Sequence, residues 1–347
     1  MGETAPAESK NAPRSNRQPT PEFLRQLTSV RRPLVVGHVT PDADCIGAAL
    51  GVAGSLREHG IEAVVGLPAD CVAQRLGFML ELAPTTPRSV EWSTDGRYDS
   101  LIIVDTASEK RINIRPPPAM TGPLPTLNID HHITNIDFGR HNWVDPHASS
   151  TCEMIALLLN ALKWQPSAAV ASLLYAGLHG DTAGFSLPST TSDALHVAAE
   201  LVRAGADVSH IGEQLCRSQG QHDFELLRRV YDHTRVVAAG RIAYSHLSYA
   251  DISESGCKAD DIDDQVSIPR ALKGVAIAML FSEGEPGVIR INLRGEGKIT
   301  VLELAQRFGG GGHSQSAGVR VKNKPMQQVI DETVAAAQEH LRSIGVI

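Results

Sequence analysis

Acidic and imidazole side chains gather at the ends of apolar runs in this 347-residue chain. His38-Val-Thr-Pro-Asp42-Ala-Asp44 follows LVVG, Asp105 follows SLIIV, and Asp130-His131-His132 closes and follows TLNI. A further carboxylate, Asp181, lies in LHGDTAGF. Oxygen donors mixed with imidazole, without paired thiolates, suit Mn²⁺ or Mg²⁺ better than a structural zinc ion. Two such ions, about 3.5–4 Å apart, can clamp a phosphoryl group and generate hydroxide from water, so the chemistry suggested is phosphoester hydrolysis. Each residue alone has a plainer explanation. Asp44 before Cys45-Ile46-Gly47 fits a helix N-cap, Asp42 a turn carboxylate, Asp181 the start of a loop, and a single histidine is more often structural. Repetition favours the metal reading: three strand ends carry such donors, and none interrupts the apolar runs themselves.

These residues converge only if their strands share one parallel sheet, whose strand C-termini lie along a common edge. The pattern supplies such a sheet. Residues 34–37, 61–66, 100–104 and 126–129 read as strands, and 46–59, 149–162, 167–179 and 192–204 as helices. Buried strands alternating with helices predict an α/β fold with right-handed crossovers. Helices over 208–217 and 223–234 form a candidate connector. Beyond it the pattern changes to hairpins, 236–238 with 242–244 and 275–281 with 288–293, the latter about Glu283 to Gly287. A helix over 300–308, four glycines, a short strand and a terminal helix over 325–342 complete a smaller α+β domain. The expected division is a disordered arm over 1–21, a first domain over 22–207, a helical linker over 208–234 and a second domain over 235–347.

Composition narrows the function. With 42% hydrophobic and 20% charged residues the chain reads as an ordinary globular protein. Its longest apolar runs, such as Ala168 to Leu178, are too short and polar to span a bilayer, and no basic-then-apolar leader opens it. Five scattered cysteines without a CxxC pair argue for the reducing cytoplasm. A net charge of −7 argues against gripping long nucleic acid by bulk electrostatics. Residues 22–234 carry 24 acidic against 16 basic side chains, whereas 235–347 carry 13 of each. Asp42, Asp44, Asp105 and Asp181 supply half of that acidic excess. In the second domain, Gly309 to Gly312 could let backbone N–H groups converge on an anion, or form only a flexible turn. Arg294 in INLRGEG suits bidentate phosphate contacts, or is a surface strand arginine.

HVTPDAD, VDTAS, DHH and GDTAGF, in this order, resemble the four motifs of the DHH phosphoesterase superfamily, and FGGGGHSQSAG resembles the signature of its DHHA1 accessory domain. The similarity spans about residues 30–345, and the arrangement resembles the nanoRNase/pAp-phosphatase subfamily. The resemblance implies a two-Mn²⁺ enzyme, with Mg²⁺ as a substitute. It would degrade short RNA oligonucleotides to mononucleotides and dephosphorylate 3′-phosphoadenosine 5′-phosphate (pAp). It places His38 and Asp42 on one ion, Asp44, His131 and Asp181 on the other, and Asp105 between them. His132 would sit beside the scissile phosphate, with Asp130 orienting the neighbouring imidazoles. Water is the implied attacking group, since Cys45, Ser149 and Ser150 show no general-base partner. Gly310, Gly311, Gly312, His313 and Arg294 would bind the non-scissile part of a nucleotide across a cleft between the domains, with Arg270 a further candidate. The signature usually ends Ala-Ala-Gly, where this chain has Ser316-Ala317-Gly318. A homodimer is also implied, with no membrane partner.

Other readings remain. Relatives in the superfamily hydrolyse cyclic di-AMP or its linear product. A non-catalytic nucleotide sensor on the same fold would not need the full ligand set seen here. A family II inorganic pyrophosphatase would carry a basic C-terminal domain in place of the GGGGH loop, and a RecJ-type exonuclease a longer chain with an OB-fold domain.

Overall fold

The structure, a computed structural model, describes residues 18–67, 72–83, 97–114, 124–217, 221–257, 262–312 and 314–347. His313, and the expected disordered arm as far as residue 17, lie outside the described residues. The chain forms two compact units, Met1–Ser218 and Gln219–Ile347.

The first unit is built on a parallel sheet ordered β2-β1-β3-β4-β5. Its strands are β1 (Pro33–Val36), β2 (Val64–Gly66), β3 (Ser100–Val104), β4 (Thr126–Asp130) and β5 (His141–Val144). Both faces are covered, which explains the unbroken apolar runs. Val35, Ile102, Val104, Leu127 and Ile129 join one core with the helices. Leu34, Val36, Leu101 and Ile103 face another with Tyr98, Ile112 and Ile114. Four strands agree with the sequence pattern, but β5 was not expected. In HNWV only Trp143 is buried, so the segment lacks an apolar run.

The helices of this unit are α1 (Pro21–Ser29), α2 (Ala43–Glu58), α3 (Gly77–Leu82), α4 (Thr151–Leu162), α5 (Ala168–Asp181), α6 (Ser192–Arg203) and α7 (Val208–Arg217). α1 begins on Thr20, whose side chain caps Phe23 N–H, and buries Phe23 and Leu27. α2 starts earlier than expected because Asp42, not Asp44, is its N-cap and accepts from Cys45 N–H at 3.0 Å. Small residues bring α2 and α5 close together. A Cβ on Gly47 would lie 2.5 Å from Leu173 O, and one on Gly177 would lie 2.3 Å from Cys152 Sγ and 3.1 Å from Asp44 Cα.

This contact holds the helix end bearing Asp181 against the helix start bearing Asp44. Glycine to alanine in an unencumbered helix should stabilise by about 1 kcal/mol. Gly212→Ala, with nothing near its added Cβ, should follow that rule. Gly177→Ala should reverse the sign and destabilise by about 1–3 kcal/mol, read as a lower urea midpoint. Equal gains in both variants would refute the close-packing account.

The second unit holds a six-stranded sheet ordered β10-β11-β9-β8-β7-β6. Its strands are β6 (Arg235–Val237), β7 (Ile242–Leu247), β8 (Ile277–Glu285), β9 (Val288–Gly295), β10 (Gly311–Gly312) and β11 (Ser316–Lys322). Among the described residues of this sheet only β7 and β8 pair in parallel. The remaining helices are α8 (Gln221–His233), α9 (Tyr249–Ser255), α10 (Ser267–Arg270), α11 (Leu302–Arg307) and α12 (Met326–Ser343). β8 runs further than the sequence suggested, and its hairpin with β9 closes on Pro286-Gly287, with Gly287 at φ +74°. The two helices expected as a linker divide between the units. Ile211 of α7 joins the first unit's core, whereas Leu226 and Val230 of α8 pack in the second. Among the described residues no helix is long and apolar enough to cross a membrane.

Candidate metal centre

Strand register places the key residues in one row. Val36 pairs with Ile103, so His38 comes level with Asp105, and Val104 pairs with Ile129, which brings Asp105 level with Asp130. β1 and β3 are also where the strand order reverses, the position at which open parallel sheets form ligand crevices. Asp105 leaves the sheet at φ +51°, a left-handed turn that is costly for a residue with a Cβ. Its N–H remains bonded to Ile129 O at 2.9 Å.

Around Asp105 the predicted donors come together. Its Oδ2 lies 3.3 Å from His38 Nε2, and its Oδ1 lies 3.6 Å from both His131 Nε2 and His132 Nδ1. His131 Nε2 also lies 3.1 Å from Asp181 Oδ2 and 3.9 Å from Asp44 Oδ2. Asp42 is exposed at the rim, 3.9 Å from His38 Nε2. Asp44, Asp105 and His38 are buried. The donor atoms of Asp44, His131 and Asp181 lie mutually within 4.8 Å, as do those of Asp105, His131 and His132.

Asp181 ends α5 rather than starting a loop. The chain reverses directly after it through Ala183, Gly184 and Phe185, all at positive φ. Thr182 holds this turn, donating to Leu178 O at 2.7 Å and accepting from Phe185 N–H at 3.1 Å.

The supporting contacts are specific. His132 Nδ1 lies 2.7 Å from Asp130 Oδ1, whose other oxygen accepts from Asn135 Nδ2 at 2.6 Å. Asp130 therefore orients His132 alone, while His131 Nδ1 faces Ala148 O at 3.4 Å. Thr151 donates to Asp105 Oδ1 at 3.1 Å, and Asp44 accepts from the N–H groups of Thr151 and Cys152 at 2.6 and 2.9 Å. A carboxylate on these first amides of α4 complements the helix dipole. Thr151 and Asn135 were not singled out in the sequence; their signal was polar residues beside a strand end and a helix start. Ser150, weighed as a nucleophile, is the N-cap of α4, and Ser149 donates to Ser189 O at 2.7 Å.

Crowded charge shifts these groups. Burial raises Asp44 well above the usual carboxylate range, and Asp105 and Asp181 push it further. Burial would raise Asp105 too, but His38, His131 and His132 outweigh it and hold its carboxyl below the usual range. Burial would favour neutral imidazoles at His38 and His131. Cys45, Asp105 and Asp42 outweigh it and raise His38 to about 12; Asp181, Asp105 and Asp44 raise His131 well above its ordinary value. The crowded carboxylates thus favour protonated imidazoles. His38 Nδ1 is buried without a hydrogen-bond partner. This set of oxygen and nitrogen donors fits divalent cations.

The carboxylates around His38 and His131 favour their protonated forms, so a cation taking their ring nitrogens competes with protons. Divalent-ion affinity should therefore rise with pH across about pH 6–9, and calorimetry in buffers of differing ionisation enthalpy should show proton release. A pH-independent affinity with buffer-independent heats would contradict this charge balance.

The second unit's predicted residues are placed as follows. Arg294 stands near the end of β9, opposite Ser316 of β11 and Ala278 of β8. Arg270, expected to face substrate, is ion-paired with Glu296. Gly311 and Gly312 form the exposed strand β10 against Gly318 and Ala317. Gly310 differs from expectation: its N–H bonds to Ala305 O at 2.9 Å and ends α11, so it is not directed at an anion. A Cβ there would meet Gly318 O at 2.2 Å, so glycine is required by packing.

Comparison with known proteins places this architecture. The model of the DHH family N-terminal domain matches residues 32–178, and that of the DHHA1 domain matches 240–343. The chain is 28% identical to the bifunctional oligoribonuclease and PAP phosphatase NrnA of Thermus thermophilus, over 92% of this chain and 93% of that protein. It is also 28% identical to the cyclic-di-AMP phosphodiesterase GdpP of Geobacillus thermodenitrificans, over 98% of this chain but 51% of that protein. An exopolyphosphatase-related protein from Bacteroides fragilis shares the fold, with a TM-score of 0.80 at 23% identity over 93% of this chain and 95% of that one. With its motif residues gathered on one sheet edge and both models matched in order, the chain carries a DHH family N-terminal domain followed by a DHHA1 domain.

Proposed function

We propose that this chain is a phosphoesterase that uses two Mn²⁺ ions, with Mg²⁺ as a substitute, to hydrolyse short RNA oligonucleotides and to dephosphorylate pAp. The observation that carries the reading is the row of His38, Asp105 and Asp130 across adjacent strand ends, with Asp44, His131 and Asp181 packed beside it. Bound there, divalent cations supply Lewis-acid polarisation of a phosphoryl group and neutralise its charge. Mixed imidazole and carboxylate donors favour Mn²⁺ over Mg²⁺. His38 and Asp42 would hold one ion, Asp44, His131 and Asp181 the other, with Asp105 shared.

The remaining side chains act on the substrate. His132, gripped at Nδ1 by Asp130, would meet the scissile phosphate through its other ring nitrogen and assist the leaving oxygen. Arg294, Gly311, Gly312 and His313 would bind the non-scissile part of the nucleotide, which supplies positioning rather than chemistry. The names of the Thermus and Geobacillus relatives support small nucleotide substrates. The second of them makes cyclic and linear di-AMP the runner-up.

Substrate length tests this reading. Long-strand enzymes use many basic contacts with phosphate and show steep salt dependence. This chain carries a net charge of −7 and only 3 Trp, 5 Tyr and 7 Phe from which to build a stacking platform. A Mn²⁺ assay comparing pAp, cyclic and linear di-AMP and RNA from a dinucleotide to a long oligomer should show kcat/KM falling steadily with RNA length. The salt slope for short substrates should correspond to about one to three phosphate contacts. Equal efficiency on long RNA with a steep salt slope would return the RecJ-type reading.

A further inference from the structure

Cys45 stands apart from the donors used so far. Its Sγ, a ring nitrogen of His38 and a carboxylate oxygen of Asp105 all lie within 4.8 Å of one another, and the three residues are buried. Gly37 makes room for the sulfur, since a Cβ there would lie 2.2 Å from Sγ. The sulfur accepts from the His38 backbone N–H at 3.3 Å, and hydrogen bonds to sulfur tune metal–thiolate centres. Beside the sulfur, the His38 side chain is 6% exposed and its Nδ1 makes no hydrogen bond of good geometry. A buried polar nitrogen left in this state is costly unless something binds it.

We propose that His38, Cys45 and Asp105 form a mixed nitrogen, sulfur and oxygen site for a thiophilic divalent cation of the zinc or cadmium class, with Cys45 as a thiolate ligand. The inference rests on the proposed reading of these residues as a metal centre and adds a ligand to it. On binding, the S–H bond breaks, its proton passes to solvent, and the sulfur lone pair forms the metal–sulfur bond. Soft ions select thiolate donors, whereas Mn²⁺ prefers oxygen and nitrogen. Thiophilic cations would therefore compete for this half of the centre and inhibit the Mn²⁺ enzyme.

The test is a cadmium titration of the metal-free full chain, followed by sulfur-to-metal charge-transfer absorption. A Cys71→Ser, Cys216→Ser and Cys257→Ser background leaves Cys45 and Cys152 as the only thiols. One equivalent of Cd²⁺ should produce the band in this parent and in an added Cys152→Ser variant, but not with Cys45→Ser. Cys45→Ser should weaken Cd²⁺ binding about 10–100-fold and Mn²⁺ binding far less. Cd²⁺ bound by Cys45→Ser with an undiminished band would overturn the proposal. Should that variant fail to fold, cadmium NMR of the parent decides: a sulfur-ligated resonance supports the site, and one typical of oxygen and nitrogen ligands alone overturns it. Mn²⁺ binding without any cadmium–sulfur band defeats this inference alone; failure to bind either ion defeats the metal centre as well.

Discussion

Replacing Asp105 by Asn is expected to lower phosphoester turnover by about 10³-fold or more, the largest loss from any single ligand change. Asp105 lies between His38 and His131, the two imidazoles proposed for separate ions, and is itself buried. A carboxamide keeps its size but removes the charge and offers one oxygen in place of two. The amide's N–H₂ would also turn a donor toward either the imidazoles or the Thr151 hydroxyl, which now donates to Asp105 at 3.1 Å. The check is kcat/KM on pAp and a dinucleotide, with circular dichroism confirming the fold. Wild-type turnover together with undiminished Mn²⁺ binding in Asp105→Asn would show that no carboxylate is shared.

The second large effect concerns stability. Asp44, Asp105 and Asp181 crowd around His131, and burial and like charge push Asp44 well above the usual carboxylate range, so a cation that binds the native state relieves repulsion that unfolding would otherwise remove. At a hundredfold excess over Kd each site contributes about 2.7 kcal/mol. For two sites in a unit of this size the shift in Tm is about 10–20 °C. Excess EDTA should reverse it. The shift should shrink in Asp44→Asn and nearly vanish in Asp105→Asn. A melting curve indifferent to millimolar Mn²⁺ would count heavily against the two-ion centre.

Much of this site was legible because the relevant information is local. Apolar runs doubly buried in a parallel sheet stay unbroken, so the polar residues ending them stand out. Those at 38, 105 and 130–132 fall in one row once neighbouring strands are registered. Asp181 depended on a tertiary fact. It reaches His131 because Gly47 and Gly177 let α2 and α5 approach closely, which no local pattern announces. β5 escaped notice because one buried tryptophan among polar neighbours gives no periodicity. Asp42 and Asp44 both suit a helix start, and only backbone geometry shows that Asp42 is the cap. The glycine loop misled at one position. Its composition suggested free amides, whereas Gly310 uses its N–H to end α11 and lacks a Cβ because Gly318 O lies against it.

The carboxylates and imidazoles on one sheet edge are proposed to hold the divalent ions on which phosphoester hydrolysis depends. The most direct test is turnover of pAp by metal-stripped protein as Mn²⁺ is added back, with bound metal counted per chain. Hydrolysis should be nil at zero metal and rise with occupancy to a plateau at two ions per chain. Hydrolysis by protein free of detectable metal, at the rate of the reloaded enzyme, would contradict this proposal.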